Sequence, residues 1–437
     1  MTTLAEGKPP NASLAAPTQR LMSVDALRGF DMFWIIGADS LVYALNRMSQ
    51  TRSTSFLANQ LEHAEWEGFH FYDLIFPLFI FIVGVSLVFS LTRTIEREGR
   101  VEALKRVFRR SILLFLIGIF YSGGFTSAWP DMRLMGVLNR IALAYFFAGL
   151  LFCFLKPRAL AGTCIGLLIG YWALMSFVPI RDIQLTKSGL AQAAEQAGDA
   201  VAAALFRENR APNPSAVKNS PMWAAAEMLF DATTNRVTGK FDKGHNLANH
   251  FDFQYLPGRK YDTFFDPEGC LSTIPSVATC LLGVFAGLLL RDRTVQDRRK
   301  LIYLIGFGVG AAAVGWLWSL QFPVTKKIWT SSYVLVAGGY SAILLGFFYL
   351  IVDVWKARTW CQPFVWMGMN SITIYVASNI LGGFRRLAVR LAGGDVKMFF
   401  DDHVAVGTGD LMISIVGLLL AFWLVHFLYR RNIFLRL

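Results

Sequence analysis

The stretch of sequence that decides the fold is His63-Ala64-Glu65-Trp66-Glu67-Gly68-Phe69-His70-Phe71-Tyr72-Asp73-Leu74-Ile75-Phe76-Pro77. It places an ionisable and partly aromatic cluster directly in front of an apolar run that is predicted to span a membrane. Ionisable groups at a bilayer boundary cost free energy, so they mark functional positions more often than packing positions. A second pattern, Ser23-Val24-Asp25-Ala26-Leu27-Arg28-Gly29, precedes the first apolar run. The chain is therefore predicted to carry an ionisable site at one end of a membrane bundle.

The composition agrees with a membrane protein. Of 437 residues, 54% are hydrophobic and only 16% are charged, and the mean hydropathy is +0.44. Soluble globular proteins carry about 25% charged residues. Repeated apolar runs of about 20 residues fit helices that cross the hydrocarbon core. We therefore predict an all-α polytopic bundle with about ten spans, at residues 27–46, 71–92, 111–128, 134–154, 160–180, 271–290, 301–321, 331–354, 363–383 and 409–429.

The distribution of Lys and Arg predicts the orientation. The segments 93–110 and 291–300 hold seven and five basic residues, whereas opposite loops such as the one with Lys326 and Lys327 hold fewer. The positive-inside rule then places both termini in the cytoplasm. It also explains the net charge of +12 without nucleic-acid binding, which we do not expect.

The same orientation defines the predicted domains. Residues 1–22 are expected to form a disordered cytoplasmic tail, and residues 23–437 a single transmembrane domain. Within that domain the segment 181–270 is too polar to span and is expected to form an extracytoplasmic cap. The five cysteines show no metal-type CxxC spacing, and their odd number argues against a disulfide framework. His245 and His250 do not have ligand-favoured helical spacing, so no metal site is predicted.

A few polar side chains fall inside or at the rims of the predicted spans. They include Asp39 and Asp73 near the outer end, Arg140, and Asn370. His63 is the best candidate for a general base, because its unperturbed pKa lies near neutral pH. A carboxylate such as Asp39 could fix the tautomer of its ring. Alternatively, Asp39, Asp73 and Arg140 could form a buried ion pair that only fixes helix packing, and His63 could be an ordinary exposed loop histidine.

Six sequence blocks follow one another between residue 20 and the C-terminus. They are Arg20-Leu21-Met22-Ser23-Val24-Asp25-Ala26-Leu27-Arg28-Gly29, His63-Ala64-x-Trp66-x-Gly68 with Asp73-Leu74-Ile75-Phe76-Pro77, Gly136-Val137-Leu138-x-Arg140, Asp266-Pro267-Glu268-Gly269, Trp329-x-x-Ser332-Tyr333-Val334, and Gly368-Met369-Asn370-Ser371. In this order they resemble the heparan-α-glucosaminide N-acetyltransferase catalytic-domain family and its bacterial relatives, within the transmembrane acyltransferase superfamily. The resemblance implies an acetyl-CoA-dependent N-acetyltransferase of a bacterial cytoplasmic membrane. Such an enzyme moves an acetyl group from cytosolic acetyl-CoA to an amine on the far side.

The resemblance also assigns site residues. The family's catalytic histidine falls at His63, and a second polar residue, Asn in the lysosomal enzyme, falls at Asp39 by an ungapped count from Ser23. Because an ionised carboxylate cannot donate a hydrogen bond, we expect Asp39 to orient His63. Asn370 or Arg140 is expected to stabilise the oxyanion. The remaining candidates are Arg28, Arg109, Arg110 and Arg140 for acetyl-CoA, and Trp66, Asp73, Asp266 and Glu268 for the acceptor.

The expected partners are a small amino sugar or glycan terminus and membrane lipid, and a homodimer stays open. The loop at residues 48–62 is longer than its counterpart, so we expect a glucosamine-type acceptor and not heparan sulfate in particular. The main alternative is an amino-sugar transporter related to N-acetylglucosamine uptake, with Asp39 and Asp73 as proton carriers. A third alternative is a non-catalytic member of the family that acts in assembly.

Overall fold

The computed structural model describes residues 21–126, 128, 131–208 and 220–435. The predicted N-terminal tail therefore lies outside the described residues, except for Leu21 and Met22. In the described part the chain is almost entirely helical, and its four β-strands have only two residues each. The all-α fold is thus confirmed.

Helix α4 (Phe71–Glu98) lies at the centre of the bundle. Its apolar residues are buried over most of its length, because neighbouring helices cover nearly all of its surface. It packs closely on α12 (Thr273–Arg291), where a Cβ atom on Gly84 would collide with the carbonyl group of Cys280. Small residues allow such close approach between membrane helices. The helix therefore forms a rigid axis that connects the two ends of the bundle.

Further long helices surround this pair. They are α5 (Arg100–Tyr121), α6 (Val137–Phe154), α7 (Pro157–Phe177), α13 (Asp297–Trp318), α14 (Ser331–Phe348) with a π-helical extension over Tyr349–Val354, and α19 (Thr408–Arg430). Among the described residues, seven helices are long and apolar enough to cross a membrane: α4, α6, α7, α12, α13, α14 with its extension, and α19. The chain is therefore an integral membrane protein. The count of ten spans and the orientation stay predictions.

The other three predicted spans coincide with helices that are interrupted or charged. The first consists of α1 (Met22–Phe33) and α2 (Asp39–Ser49), joined by a π-helical turn in which Gly37 has φ of 119°. The ninth consists of α15 (Gln362–Met369) and α16 (Ser371–Ile380), which meet at Asn370. The third is α5, whose first half is rich in basic residues. Interrupted helices are tolerated at membrane depth where protein or a cavity surrounds them.

The segment 181–270, named the cap here, contains short elements. The strand pairs are β1 (Ile180–Arg181) with β2 (Arg236–Val237), and β3 (Phe241–Asp242) with β4 (His245–Asn246). The helices are α8 (Lys187–Gln196), α9 (Ala200–Glu208), α10 (Pro221–Ala232) and α11 (Leu247–Tyr255). Aromatic residues such as Trp223, Phe253 and Phe264 give the cap its own apolar core. Outside the cap, the remaining short helices are α3 (Arg52–Gln60), α17 (Phe384–Ala392) and α18 (Asp395–His403).

Candidate active site

His63 lies on the loop between α3 and α4, beside the first turn of α4. Its Nδ1 atom is 2.9 Å from Oδ1 of Asp73. Asp73 is fully buried, whereas 52% of the His63 side chain is exposed. If Nδ1–H donates to this carboxylate, the lone pair of the imidazole stays on Nε2. The pair is thus arranged as a general base and the carboxylate that orients it.

Asp73 has no freedom to move away from His63. Its Oδ2 accepts hydrogen bonds from the backbone amides of Ala64 and His70, both at 3.1 Å. The hydroxyl group of Tyr333 on α14 donates to the backbone carbonyl of Asp73 at 2.7 Å. The position at the N-terminus of α4 also favours a negative charge. The carboxylate is therefore fixed before any substrate arrives.

A second loop, residues 319–330 between α13 and α14, supplies a cation to this pair. Nζ of Lys326 lies 3.0 Å from Nδ1 of His63 and 3.4 Å from Oδ1 of Asp73. The amide of Gly68 donates to the carbonyl of Val324 at 2.9 Å and ties the two loops together. Burial lowers the pKa of Lys326, while the charge of Asp73 acts in the opposite direction.

The loop that carries Lys326 is held from within. The hydroxyl group of Thr330 donates to the carbonyl of Pro323 at 2.7 Å and accepts from the amide of Thr325 at 3.1 Å. Trp329 is fully buried, and its indole N–H donates to the hydroxyl group of Thr279 on α12 at 3.1 Å. These bonds set the direction from which Lys326 reaches His63.

A cavity of about 350 Å³, named the outer cavity here, lies beside these three side chains. It extends along α4 from Tyr72 to Phe79, which covers about 10 Å of helix. The ring of Tyr72 lies 4.9 Å from that of His63, measured between centroids. The walls are mostly apolar, and the polar side chains on them are His63, Tyr72, Arg133, Arg140, Glu268, Lys326, Lys327, Tyr261, Ser371 and Tyr375. A mostly apolar wall with few polar groups is typical of a small-molecule site.

An ion cluster from the cap forms one side of the outer cavity. Arg133 donates to both carboxylate oxygens of Asp266, at 2.9 and 2.8 Å, and to Glu268 at 2.8 Å. These carboxylates raise the pKa of Arg133 against the opposing effect of burial. Burial, and then the charge of Asp266, raise the pKa of Glu268 to about 7. Glu268 can therefore change its charge near neutral pH while it faces the cavity.

A larger cavity of about 1890 Å³, named the inner cavity here, lies at the other end of α4. Six basic side chains line it, together with five acidic ones: Arg93, Arg97, Arg106, Arg291, Arg293 and Lys300, with Glu96, Glu98, Asp292, Asp297 and Asp353. Arg291 is paired with Glu96 at 2.5 Å. Large size and several cations suit this cavity to a large anionic ligand.

The two cavities are separated by a short length of bundle. On α4 the outer cavity reaches Phe79 and the inner cavity begins at Ser86, a distance of about 10 Å along the helix axis. On α1, Val24 lines the inner cavity and Met32 the outer one. Asp31 lies between them on the same helix, fully buried, and neither of its carboxylate oxygens has a hydrogen-bond partner among the described residues.

The orienting carboxylate predicted from the sequence is corrected by this geometry. The partner of His63 is Asp73, and Asp39 lies at the start of α2 close to the backbone amide of Ser40. Asp39 acts electrostatically on Tyr72, and the ring of Tyr72 packs on His63, so Asp39 reaches His63 only through Tyr72. The π-helical turn at Trp34–Ala38 rotates α2 relative to α1, so an ungapped residue count does not show which side chain faces His63.

Two other candidates have contacts of their own. Trp66, predicted to bind the acceptor, donates from its indole N–H to the carbonyl of Phe241 at 2.8 Å and packs between the loop and the cap. Asn370 is buried at the junction of α15 and α16 and donates to the carbonyl of Trp366 at 3.4 Å. Within the described residues neither side chain lines the outer cavity, whereas Ser371, next to Asn370, does.

Two of the four arginines predicted to bind acetyl-CoA lie at the cavities, and two do not. Arg140, predicted for acetyl-CoA or the oxyanion, lines the outer cavity, where its guanidinium group donates to the carbonyl of Pro267 and to Ser272 and lies over the ring of Trp329. Arg28 donates to Ser86 on the wall of the inner cavity and pairs with Asp25. Among the described residues neither Arg109 nor Arg110 lines either cavity, and Arg110 packs over Tyr145.

Sequence reasoning missed Lys326 and Arg133 and did not select the arginines of the inner cavity. Trp329 begins one of the six sequence blocks, and Lys326 stands three residues before it. That proximity was the available signal that Lys326 belongs to the site. Of the remaining acceptor candidates, Glu268 lines the outer cavity, and Asp266 lies behind it as the partner of Arg133. No group of three or more His, Cys, Asp or Glu side chains in the described part of the chain is arranged to hold a metal ion.

Comparisons with known proteins show which proteins the chain is similar to. Residues 20–199 match the family described as "Heparan-alpha-glucosaminide N-acetyltransferase, catalytic". A mouse (Mus musculus) protein named heparan-alpha-glucosaminide N-acetyltransferase is 28% identical over 395 residues, which cover 85% of this chain and 56% of the relative. The human (Homo sapiens) protein of the same name is 26% identical over 454 residues, which cover 98% of this chain and 61% of the relative. The chain thus spans about three fifths of the length of these relatives, and the resemblance indicated by the sequence blocks is confirmed.

Proposed function

We propose that this relative of the heparan-alpha-glucosaminide N-acetyltransferases transfers an acetyl group from acetyl-CoA to the amine of a glucosamine-type amino sugar. The donor would bind in the inner cavity on the cytoplasmic side, and the acceptor would bind in the outer cavity on the opposite side. The membrane would be a bacterial cytoplasmic membrane. The single observation that carries the proposal is the pairing of His63 with Asp73 at the wall of a cavity that extends along α4 into the bundle.

The inner cavity supports the assignment of the donor. Acetyl-CoA carries phosphate groups at one end and a thioester at the end of a long pantetheine arm. Arginine side chains bind phosphate through charge-assisted hydrogen bonds. Arg93, Arg97 and Arg106 lie on this wall, and Arg106 is held in place by a bond of 3.2 Å to Thr94. The arm would then cover the remaining distance between Ser86 and Phe79 to bring the thioester to the outer cavity.

The outer cavity supports the assignment of the chemistry. In direct transfer, Nε2 of His63 removes a proton from the acceptor amine, and the amine nitrogen attacks the thioester carbon. The C–S bond then breaks, and the protonated imidazole returns a proton to the sulfur of CoA. In a relay, Nε2 itself attacks the thioester carbon, the C–S bond breaks and CoA leaves as the thiolate. The amine then attacks the acetyl-imidazole, the bond between Nε2 and the acetyl carbon breaks, and the proton lost by the amine passes to the CoA thiolate. Asp73 stabilises the protonated or acetylated imidazole in both cases.

Release of CoA thiol by the purified protein tests the proposal. With acetyl-CoA and glucosamine, the wild type should release thiol in proportion to acetylated product, and His63→Ala should lose nearly all of this activity. Absence of thiol release from the wild type with every amine acceptor tried would refute the enzyme. Labelled acetyl trapped on the wild type but not on His63→Ala, in the absence of amine, would favour the relay.

The transporter alternative is separated by a second measurement. Proteoliposomes that accumulate amino sugar without CoA would support transport with carboxylates as proton carriers. The structure gives no specific observation in its favour, because Asp73 is held by two backbone amides and a cation. Solute accumulation that needs neither CoA nor His63 would contradict the acetyltransferase.

A further inference from the structure

We propose that Lys326 is the electrophilic catalyst of this site and donates a hydrogen bond to the oxyanion that forms on the thioester carbonyl. The inference rests on the proposed acetyl transfer. Its basis is that Lys326 is a cation on the wall of the outer cavity, next to the base, on a loop fixed independently of any substrate. Direct transfer and the relay both place negative charge on the same oxygen, so the role is common to them.

The position of Lys326 fits the geometry of the reaction. Its Nζ atom lies 3.0 Å from Nδ1 and 3.5 Å from Nε2 of His63. A reacting group within hydrogen-bond distance of Nε2 is therefore also close to the ammonium group. Oxyanion donors act at about 2.7–3.1 Å from the charged oxygen. A carbonyl oxygen beside the attacked carbon can reach that distance without movement of the loop.

The contacts of Lys326 with His63 and Asp73 leave at least one of its N–H groups able to donate to a ligand. The ammonium group has three N–H donors. One can point to Oδ1 of Asp73 at 3.4 Å, and Nδ1 of His63 cannot accept another while it donates its own proton to Asp73. Within the described residues these two side chains are the polar partners of Lys326 at such distances. At least one N–H is thus available to the cavity, where 21% of the side chain is exposed.

The two side chains expected from the sequence to stabilise the oxyanion have contacts of their own, although Nε of Arg140 has no hydrogen-bond partner among the described residues. Arg140 gives one guanidinium nitrogen to the carbonyl of Pro267 and to Ser272, and its charged plane lies against the ring of Trp329 at 4.8 Å. The side-chain amide of Asn370 donates to the carbonyl of Trp366. Nζ of Lys326 lies 3.5 Å from Nε2 of His63, so this cation stands beside the reacting atoms.

The charge balance of each step supports the same role. As the nucleophile adds to the thioester carbon, the electron pair of the C=O bond moves to oxygen, and the ammonium group of Lys326 faces the new negative charge. When the C–S bond breaks, the pair returns and the neutral carbonyl releases Lys326 unchanged. The lysine therefore gives up no proton and needs no further reactant. Its interaction is stronger in the transition state than with the substrate, which is what accelerates a reaction.

Three variants test the inference. Lys326→Met should lower kcat by about 10²–10³-fold, the usual effect of losing one oxyanion donor, and leave KM for acetyl-CoA and the Kd for CoA within about threefold. Lys326→Arg should have a kcat at least tenfold higher than that of Lys326→Met, because arginine keeps a charged donor. Lys243→Met is the matched control: this lysine is exposed on the cap and lines neither cavity, so its loss should leave kcat within about threefold.

Each outcome decides the question. A kcat for Lys326→Met within threefold of the wild type would overturn the inference, as would a loss that appears only in KM. If Lys326→Met does not fold, Lys326→Leu replaces it, because leucine also lacks an N–H donor, and a folded, fully active Lys326→Leu overturns the inference equally. Failure of the wild type to release CoA refutes the proposed function instead, so the two failures are distinguishable.

Discussion

The substitution Asp73→Asn gives the sharpest test of the proposed base. Asp73 accepts two hydrogen bonds from backbone amides, and its Oδ1 lies 2.9 Å from Nδ1 of His63, which donates the third in the tautomer that leaves Nε2 free. An Asn side chain can keep its oxygen on the two amides only by turning its NH₂ group toward His63. Nδ1 of His63 then becomes the acceptor, the ring proton moves to Nε2, and the base loses its lone pair.

The magnitude follows from this tautomer change. A comparable exchange of an orienting Asp for Asn lowers kcat by about 10⁴-fold in a serine protease, so we expect a loss of about 10³–10⁴ here. Removing the charge also leaves Lys326 without its carboxylate, which should cost about 1–3 kcal/mol of stability. The assay is initial-rate release of CoA thiol, with a thermal unfolding scan on the same samples. Asp39→Asn, the matched carboxylate of the sequence-based prediction, should cost less than tenfold in kcat.

The reverse order of these two effects would refute the reasoning. If Asp39→Asn is the more damaging substitution, the orienting carboxylate in the working enzyme is Asp39, and the pair seen in the structure is not the catalytic one. If both variants keep full activity, His63 needs no carboxylate. A variant that unfolds is replaced by Tyr333→Phe, which removes the hydrogen bond to the backbone of Asp73 and should lower kcat by about tenfold without moving the KM for acetyl-CoA.

Three further outcomes are expected. The pKa of Glu268 is raised to about 7 in the folded protein, so between about pH 4.5 and 7 the folded state holds a proton that the unfolded state has released, and stability falls as pH rises through this window. Glu268→Gln should therefore flatten the decrease of Tm measured between pH 5 and 8. An unchanged slope would contradict the raised pKa of Glu268. Asp31→Leu replaces a buried carboxylate that lacks a partner among the described residues and should raise stability by about 1–3 kcal/mol in a denaturant titration, whereas a lower Tm would mean that Asp31 has a partner in solution. Arg106→Met should raise the KM for acetyl-CoA about tenfold at low salt and by less at high salt, because salt screens the attraction between the arginine and the phosphates. Arg109→Met is the matched control on the same helix. Equal effects of the two substitutions would argue against the inner cavity as the donor site.

The membrane helices and one half of the site could be predicted from the sequence because both depend on local pattern. The apolar runs predicted the positions of the membrane helices, since the length of such a run is set by the thickness of the bilayer. His63 and Asp73 are ten residues apart within one motif, so the loop and the start of α4 bring them together. The break at Gly37 gave no such signal, because it lies inside an apolar run and leaves the composition unchanged.

The rest of the site depends on tertiary packing that no local pattern contains. Lys326 is 263 residues from His63, and only the packing of α14 on α4 makes them neighbours. The basic segments near the inner cavity were recognised as charged, but the phase of each helix decides which arginine faces inward. Arg106 lines the cavity, whereas Arg109, three residues later on the same helix, does not.

The bond between Gly68 and Val324 has a consequence for how the protein is made. A membrane protein inserts its helices as the chain is synthesised, and His63 enters the membrane region long before Lys326 exists. Until α13 and α14 are in place, the histidine loop lacks both its lysine and the tie that holds the two loops together. The outer end of the site is therefore complete only after helices from the second half of the chain have packed on α4.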